Sequence, residues 1–178
     1  MAKTVISTLA TRTKRRLDYN PSESDTDLDN LVIDAINDVL KLIKQGLFDA
    51  HLFKDISAST TLSTTASQAY VDLSSVTDFD EIIKLSERTN DKPIEIISYM
   101  EFVARYPDPT SNSSSAPDRA ALWNNRLYLG PTPSAILTLY LDYIKLITDV
   151  ISTSSSPFES KYDPLVVAWA IEVLREWL

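Results

Sequence analysis

The chain has 178 residues and a formal charge of −8, with 44% apolar and 24% charged side chains, which is typical of one soluble globular domain with or without an insertion. It contains no cysteine and only two glycines, Gly46 and Gly130, which excludes disulfides, thiolate nucleophiles, cysteine zinc sites and glycine-rich phosphate loops. The single histidine, His51, excludes motifs that need two. We therefore expect a protein that is not an enzyme and needs no metal or cofactor.

Charge is distributed unevenly along the chain. The first 16 residues contain five basic residues and no acidic one, so the other 162 residues carry twelve basic and 25 acidic residues, a net −13. An acidic body repels nucleic acid on average. The basic group at residues 14–16 follows the apolar residues of its segment, unlike a secretory signal, and the longest apolar run is too short to span a membrane. We expect no membrane contact and assembly in the cytoplasm.

The first 55 residues have the pattern of two helices. The first amphipathic stripe consists of Val5, Ile6, Leu9 and Leu17. This helix must end before Pro21, and Thr26 or Asp27 is a suitable N-cap for the next one. The apolar positions of the second helix are Leu28, Leu31, Val32, Ile36, Val39, Leu40, Ile43 and Leu47. Gly46 is the predicted breaker at its end.

From about residue 56 the composition changes to serine, threonine and β-branched residues, which favours strands. Two nearly alternating runs, residues 69–73 and 81–85, are predicted strands. Helical spacing of apolar residues predicts a short helix over residues 98–105, ended by Pro107. Residues 108–118 are rich in serine and proline and contain no large apolar residue, so we expect a mobile surface loop.

The last third of the chain predicts a hairpin, a strand and a helix. Asn124-Asn125, a dipeptide that tolerates positive φ, lies between two apolar runs and predicts a tight hairpin over residues 121–129. Residues 136–147 are apolar at both alternating sets of positions, which predicts a central strand covered on both faces. Asp163 followed by Pro164 predicts the start of a helix that continues to the chain end.

Together these elements predict an α+β protein. The N-terminal helices, residues 1–55, and the C-terminal helix, residues 157–178, form a helical bundle. An antiparallel β domain, roughly residues 56–150, is inserted between them. We therefore expect one composite domain with an insertion.

One string of acidic residues copies the start of a calcium-binding loop. Asp25, Asp27 and Asp29 have the spacing of the first three ligands of such a loop. The sixth position is Asn30, where glycine is required, and the twelfth is Ile36, where glutamate is required. The string is better interpreted as a set of acids at the start of a helix, where they interact favourably with the helix dipole.

A second acidic group is considered for the chemistry of a carboxylate-based hydrolase, the least favoured of the three functions considered for this chain. Asp78, Asp80 and Glu81 lie close in sequence, but no histidine and no aromatic pocket accompanies them. A solvated turn is the favoured interpretation. We expect His51 at the surface or at a helix end.

The C-terminal helix is apolar over more than one face, which is typical of a helix that contacts its own domain and another protein. The residues expected to pack on the helix of residues 28–47 are Val166, Trp169, Val173 and Trp177. The predicted interface with another subunit or protein comprises Val167, Ile171, Leu174 and Trp177. The basic arm Lys14-Arg15-Arg16 lacks the interleaved aromatic residues of a nucleic-acid binder. It is a second predicted contact, with an acidic protein neighbour as one partner, and a solvated helix face is the alternative interpretation.

The order of the elements carries a family resemblance. The segments involved are residues 6–17, 27–40, 70–73, 93–102, 123–133, 137–143 and 158–178. In this order they resemble the head-tail adaptor proteins, also called connector or head-completion proteins, of tailed bacteriophages. Each segment is short, but together they span nearly the whole chain.

The resemblance implies a structural virion protein. Members of the family form a ring of twelve subunits under the portal protein, in the neck of the virion, where they extend the DNA channel and provide a docking platform for the tail. The implied partners are further copies of the chain, the portal protein, a tail or neck protein, and double-stranded DNA that passes without specific binding. The alternative is a monomeric β-rich ligand- or carbohydrate-binding module built on residues 70–147.

Overall fold

The residues described by the computed structural model are 3–18, 26–88, 91–108, 113–114 and 116–177. They form an α+β structure, which confirms the predicted fold class. The chain falls into two compact units, the helical unit (Met1–Ile56 with Ile147–Leu178) and the inserted unit (Ser57–Leu146). The domain limits expected from the sequence stay predictions, because compactness alone does not show independent folding.

The α-helices of the described residues are α1 (Ile6–Arg16), α2 (Thr26–Asp49), α3 (Tyr99–Arg105) and α4 (Asp163–Trp177). The strands are β1 (Ser57–Ser63), β2 (Tyr70–Asp72), β3 (Phe79–Glu87), β4 (Lys92–Pro93), β5 (Glu95–Ile96), β6 (Ser113–Ser114), β7 (Arg119–Trp123), β8 (Arg126–Gly130), β9 (Thr132–Pro133) and β10 (Thr138–Lys145). Short 3-10 helices include Phe53–Asp55 and Ser160–Tyr162. None of the helices in the described residues is long and apolar enough to cross a membrane.

In the helical unit, α1, α2 and α4 all contact one another. The stripe predicted on α2 is largely buried, because apolar side chains that recur every three or four residues share one face of a helix. Ile6 and Leu9 of α1 are fully buried. Backbone hydrogen bonds tie the start of α1 to the segment before α4, from Ile6 N to Ser154 O and from Ser156 N to Thr4 O.

The end of α2 corrects the prediction that Gly46 breaks this helix. The helix continues for three further residues, since one interior glycine costs only about 1 kcal/mol and tertiary packing outweighs that cost. The chain turns at His51, whose φ is 55°. Leu52 N donates to Leu47 O at 2.8 Å, and His51 N donates to Phe48 O at 2.9 Å. This is the Schellman C-cap pattern, so the single histidine is a helix-end residue, as expected.

A buried asparagine of α2 holds the segment that precedes α4. Asn37 Nδ2 donates to Val150 O at 3.2 Å, and Val150 N donates to Asn37 Oδ1 at 2.8 Å. Both residues are buried, so the paired hydrogen bonds satisfy polar groups that would otherwise destabilise the fold. At the surface, Lys41 and Asp149 form an ion pair at 2.7 Å beside the same segment.

A carboxylate joins the 3-10 helices Phe53–Asp55 and Ser160–Tyr162. Lys161 Nζ and Tyr162 OH each donate to Asp55 Oδ2 at 2.7 Å. These hydrogen bonds, that of Lys161 first, hold the pKa of Asp55 below its ordinary value. These contacts fix the segment before α4 to the segment that follows α2.

The inserted unit contains two four-stranded sheets, with strand orders β1-β10-β3-β4 and β2-β8-β7-β5, and a pair formed by β6 and β9. Side chains of both larger sheets share one hydrophobic core. Its buried residues are Leu62, Val71, Leu73, Leu85, Ile94, Ala120, Leu127, Leu129, Leu139, Leu141 and Tyr143. All of them belong to the inserted unit, so this core is complete without the helices α1, α2 and α4.

The prediction that residues 136–147 form a central strand is confirmed, but the prediction that both faces of this strand are buried is wrong. The strand β10 lies between β1 and β3, as expected for a central strand. Leu139 and Leu141 are fully buried, but Tyr140 and Ile136 are exposed. An antiparallel sheet needs to cover only one face, and single apolar side chains are common on the open face.

The predicted hairpin at Asn124-Asn125 is confirmed. β7 and β8 pair antiparallel, and the two asparagines have φ values of 49° and 58°, which a type I′ turn requires. β5 and β7 pair in parallel instead, so the inserted unit is not wholly antiparallel as predicted. The chain passes through α3 between these two strands, and parallel neighbours need such a crossover.

The predicted mobile loop at residues 108–118 lies partly outside the described residues, which omit 109–112 and 115. On either side of it, Tyr106 OH donates to Asp118 Oδ1 at 3.2 Å. Burial first, and then the Asp118 carboxylate, raises the pKa of Tyr106. The Tyr106 ring lies against Gly130, where an added Cβ would come within 2.5 Å of the ring, so this position requires glycine.

Candidate interaction surfaces

The exposed side of α4 carries a row of apolar side chains next to the charged residues Glu172, Arg175 and Glu176. Leu165, Trp169, Val173 and Trp177 follow one another at intervals of four residues and form one ridge, here called the α4 ridge. Trp169 is 42% exposed and Trp177 is 44% exposed. Large apolar side chains grouped on an exposed ridge are typical of a surface that another protein covers.

The structure reverses most of the predicted division of α4 into a packed face and an interface face, although Val166 is buried as predicted. Three residues predicted at an interface are buried within the helical unit: Val167, Ile171 and Leu174. Two residues predicted to pack on α2 are exposed: Trp169 and Trp177. The small, fully buried side chain of Ala170 lies at the centre of the packed arc, where helices approach most closely. The interface role of α4 stays a prediction, and of its four predicted positions only Trp177 is exposed.

The three residues of the predicted basic arm belong to α1, and their side chains do not lie together. Lys14 is buried and forms an ion pair with Asp29 of α2. Arg15 and Arg16 are exposed, and the helical period places them on one face with Arg12, three and four residues earlier. The sequence interpretation missed Arg12 as the third member, although the i, i+3, i+4 spacing was the signal that identifies it.

These arginines line a groove of about 380 Å³ against the start of α4. The lining residues are Arg12, Arg15, Arg16, Asp163, Pro164 and Val167. Asp163 is buried, and its Oδ2 accepts hydrogen bonds from Thr4 Oγ1 at 2.6 Å and from Arg12 Nη1 at 3.1 Å. Within the described part of the chain Arg15 and Arg16 have no ion-pair partner. The groove, here called the arginine groove, therefore carries an excess of two positive charges and suits an anionic group.

The inserted unit has an aromatic surface of its own. The rings of Trp123 and Tyr99 are stacked, with their centroids 4.8 Å apart. The centroid of Tyr128 lies 5.3 Å from that of Tyr99 and 5.9 Å from that of Tyr70. Trp123 is 55% exposed, and Met100, next to Tyr99 in α3, is 80% exposed. Stacking fixes the Trp123 ring, so it presents a rigid apolar surface to a partner.

Two aspartates of the acidic patterns considered for chemistry, Asp29 and Asp78, have structural partners. Asp29 pairs with Lys14, and Asp25 lies outside the described residues. Asp78 accepts a hydrogen bond from Tyr143 OH at 2.7 Å. Across the described ranges, no group of three or more histidine, cysteine, aspartate or glutamate residues is placed to hold a metal ion. Asp29 and Asp78 therefore stabilise the fold through these contacts.

Comparisons with known proteins bear on both units. A protein-family model described as SU10 adaptor protein matches residues 4–177. No curated protein matches the sequence significantly. The family match extends over nearly the whole chain and so applies to the helical unit and the inserted unit together.

Proposed function

This chain belongs to the SU10 adaptor protein family, and from that membership we propose that it forms the head-to-tail adaptor ring in the neck of a tailed bacteriophage. Membership in the family supports a phage adaptor protein, a structural component of the virion, and we propose that it has no enzymatic activity. In the proposal, about twelve copies assemble in the host cytoplasm, as in the members that it resembles. The ring attaches below the portal protein, extends the DNA channel and provides the docking platform for the tail.

The observation that carries this proposal is the α4 ridge. Its two tryptophans keep more than two fifths of their surface exposed in the single chain. A soluble protein that places large apolar side chains in a row on one helix gains stability when a partner covers them. We assign the ridge to the contact with a neighbouring subunit or with the portal protein.

The charge of the chain supports a channel through which DNA passes. The inserted unit has seven basic and eleven acidic residues, and the helical unit has ten basic and fourteen acidic residues, so each carries a net −4. Phosphate is repelled by such a surface, which limits adhesion of the passing duplex. The Trp123 side of the inserted unit is the surface we assign to tail docking.

Native mass spectrometry with electron microscopy of the purified chain tests the proposal. Trp169→Ser combined with Trp177→Ser should reduce the population of rings, or of complexes with the portal protein, by about tenfold or more, because truncating buried aromatic anchors costs an interface several kcal/mol. Trp123→Ser is the matched control, since it removes an exposed tryptophan outside the ridge. A wild-type chain that is monomeric alone and with its portal protein would contradict the ring and favour the β-rich ligand-binding module.

A further inference from the structure

A second charged surface of the helical unit complements the arginine groove. On α2, Asp27, Asp34 and Asp38 are exposed and share the face opposite the buried stripe, so they form an acidic stripe. Lys41 lies next to them and attracts Asp34 and Asp38 electrostatically, but its direct partner is Asp149, at 2.7 Å. Within the described residues, Asp34 and Asp38 form neither a hydrogen bond nor a close ion pair. The stripe therefore remains negative in the single chain.

The two surfaces also match in their apolar parts. Four residues after Asp38, Leu42 continues the same ridge of α2 and is 54% exposed. The arginine groove combines the free guanidinium groups of Arg15 and Arg16 with an apolar floor formed mainly by the exposed Pro164, beside the buried Val167. The ridge, with two carboxylates followed by a leucine, is thus complementary to a groove with two free guanidinium groups beside an apolar floor.

The surfaces cannot satisfy each other within one chain. The residues that line the groove come from α1 and α4, and none comes from α2. The acidic stripe lies on the face of α2 that is turned away from its contacts with those two helices. Two different and complementary surfaces on one subunit produce head-to-tail association, which closes into a ring when the rotation between subunits permits.

We infer that the arginine groove of one subunit binds the acidic stripe, Asp34 and Asp38 first, of the next copy of this chain. Arg15 and Arg16 bind the two carboxylates, and Arg12, fixed by Asp163, borders the contact. Leu42 covers the apolar floor. Arginine is suited to this role because its planar guanidinium binds a carboxylate through two hydrogen bonds. The inference rests on the proposed ring and names the contact between its subunits.

Charge reversal tests the contact. Arg15→Glu with Arg16→Glu places acids against acids, and Asp34→Arg with Asp38→Arg places arginines against arginines. Each double variant should lower the apparent association constant by about tenfold or more in low salt, measured by sedimentation velocity and native mass spectrometry, because like charges face each other across the contact. Lys84→Glu with Lys92→Glu, a reversal at exposed positions of the inserted unit, is the matched control and should leave association unchanged.

Mixing the two defective variants gives the decisive result. In an alternating ring, each reversed groove meets a reversed stripe and each native groove meets a native stripe, so an equimolar mixture should recover association to within about threefold of the wild-type value. A variant that had lost its fold would not be rescued. Circular dichroism of each variant confirms that the fold is retained. Association of the wild type should also weaken as salt is raised.

Other outcomes separate the two ideas. A wild-type ring that is indifferent to both reversals, or a mixture that does not recover, overturns the inferred contact and leaves the ring proposal standing. A wild-type chain that forms no oligomer at any concentration, either alone or with its portal protein, overturns both. If the wild type binds a 30-base-pair DNA duplex in low salt, and the Arg15→Glu, Arg16→Glu variant loses this binding while it still assembles normally, the groove binds phosphate and the inference is wrong.

Discussion

At the scale of the single residue, Tyr143 links the pH of the solution to the stability of the inserted unit. Its ring is buried, and its hydroxyl donates to Asp78 Oδ1 at 2.7 Å. Burial first, and then the hydrogen bond to the Asp78 carboxylate and its negative charge, raises the pKa of Tyr143 to about 12. An ordinary tyrosine in an unfolded chain has a pKa of about 10.

The raised pKa predicts a loss of stability at alkaline pH. The folded state holds the Tyr143 proton more tightly than the unfolded state does. The contribution of this residue to the free energy of unfolding is therefore complete below pH 10 and is lost as the pH rises towards 12. In urea denaturation between pH 8 and pH 11, Tyr143→Phe should show a shallower fall in the free energy of unfolding than the wild type. Tyr140→Phe, at an exposed position of the same strand, is the control. Equal slopes for the wild type and Tyr143→Phe would contradict the assignment.

At the scale of the element, α4 offers a matched pair of leucines. Leu174 is fully buried, whereas Leu165 on the α4 ridge is 37% exposed. Leu174→Ala should lower the free energy of unfolding by about 2 to 5 kcal/mol, because it leaves a cavity in the packed face. Leu165→Ala should cost less than half as much and should weaken assembly instead. Thermal and urea unfolding of the two variants measures the difference, and equal costs would contradict the assignment of Leu174 to the packed face and of Leu165 to the exposed ridge.

The elements that the sequence predicted best are those with a strong local signal. The period of α2 and the positive φ tolerated by Asn124-Asn125 act over a few residues, so a pattern search finds them. The strand β1, Ser57–Ser63, consists mostly of serine and threonine and follows no apolar alternation. It becomes a strand because its backbone pairs with β10, a partner about 80 residues away.

The surfaces were harder to predict than the helices that carry them. Helical periodicity shows which residues of α4 share a face, but it does not show which of two apolar faces the rest of the chain covers. Ala170 was the available signal, since a small residue often marks a close helix contact. For the basic arm, the same 100° rotation per residue separates Lys14 from Arg15 and Arg16. Because the three basic residues are adjacent in the sequence, they were grouped together, although Lys14 is buried and the two arginines are exposed.

At the scale of the whole molecule, the inserted unit has the features of a part that folds alone. Its hydrophobic core draws only on residues between Ser57 and Leu146. Its two ends meet, because β1 and β10 pair antiparallel and Ser57 lies opposite Ile144. A chain segment with its own core and adjacent ends is a typical independently folding insertion.

We therefore predict that a polypeptide of residues 57–146 unfolds cooperatively. The polypeptide should give the near-ultraviolet circular dichroism of packed aromatic side chains, and urea should unfold it in one transition. The complementary protein, in which a short flexible linker replaces residues 57–146, should retain the helices α1, α2 and α4. An isolated segment without cooperative unfolding would show that the inserted unit depends on the remainder of the chain.

The pairing of β1 with β10 also bears on the order in which the protein folds. Asn37 and Val150 are 113 residues apart, and closing so long a loop is entropically unfavourable and slow. Once Ser57 is paired with Ile144, the flexible path between these two residues shortens to roughly 26 residues, which lowers the entropy cost of their contact by about 1 kcal/mol. We expect folding of the insertion to precede and accelerate docking of α4, so that substitutions in β1 or β10 slow the folding of a bundle that contains neither strand.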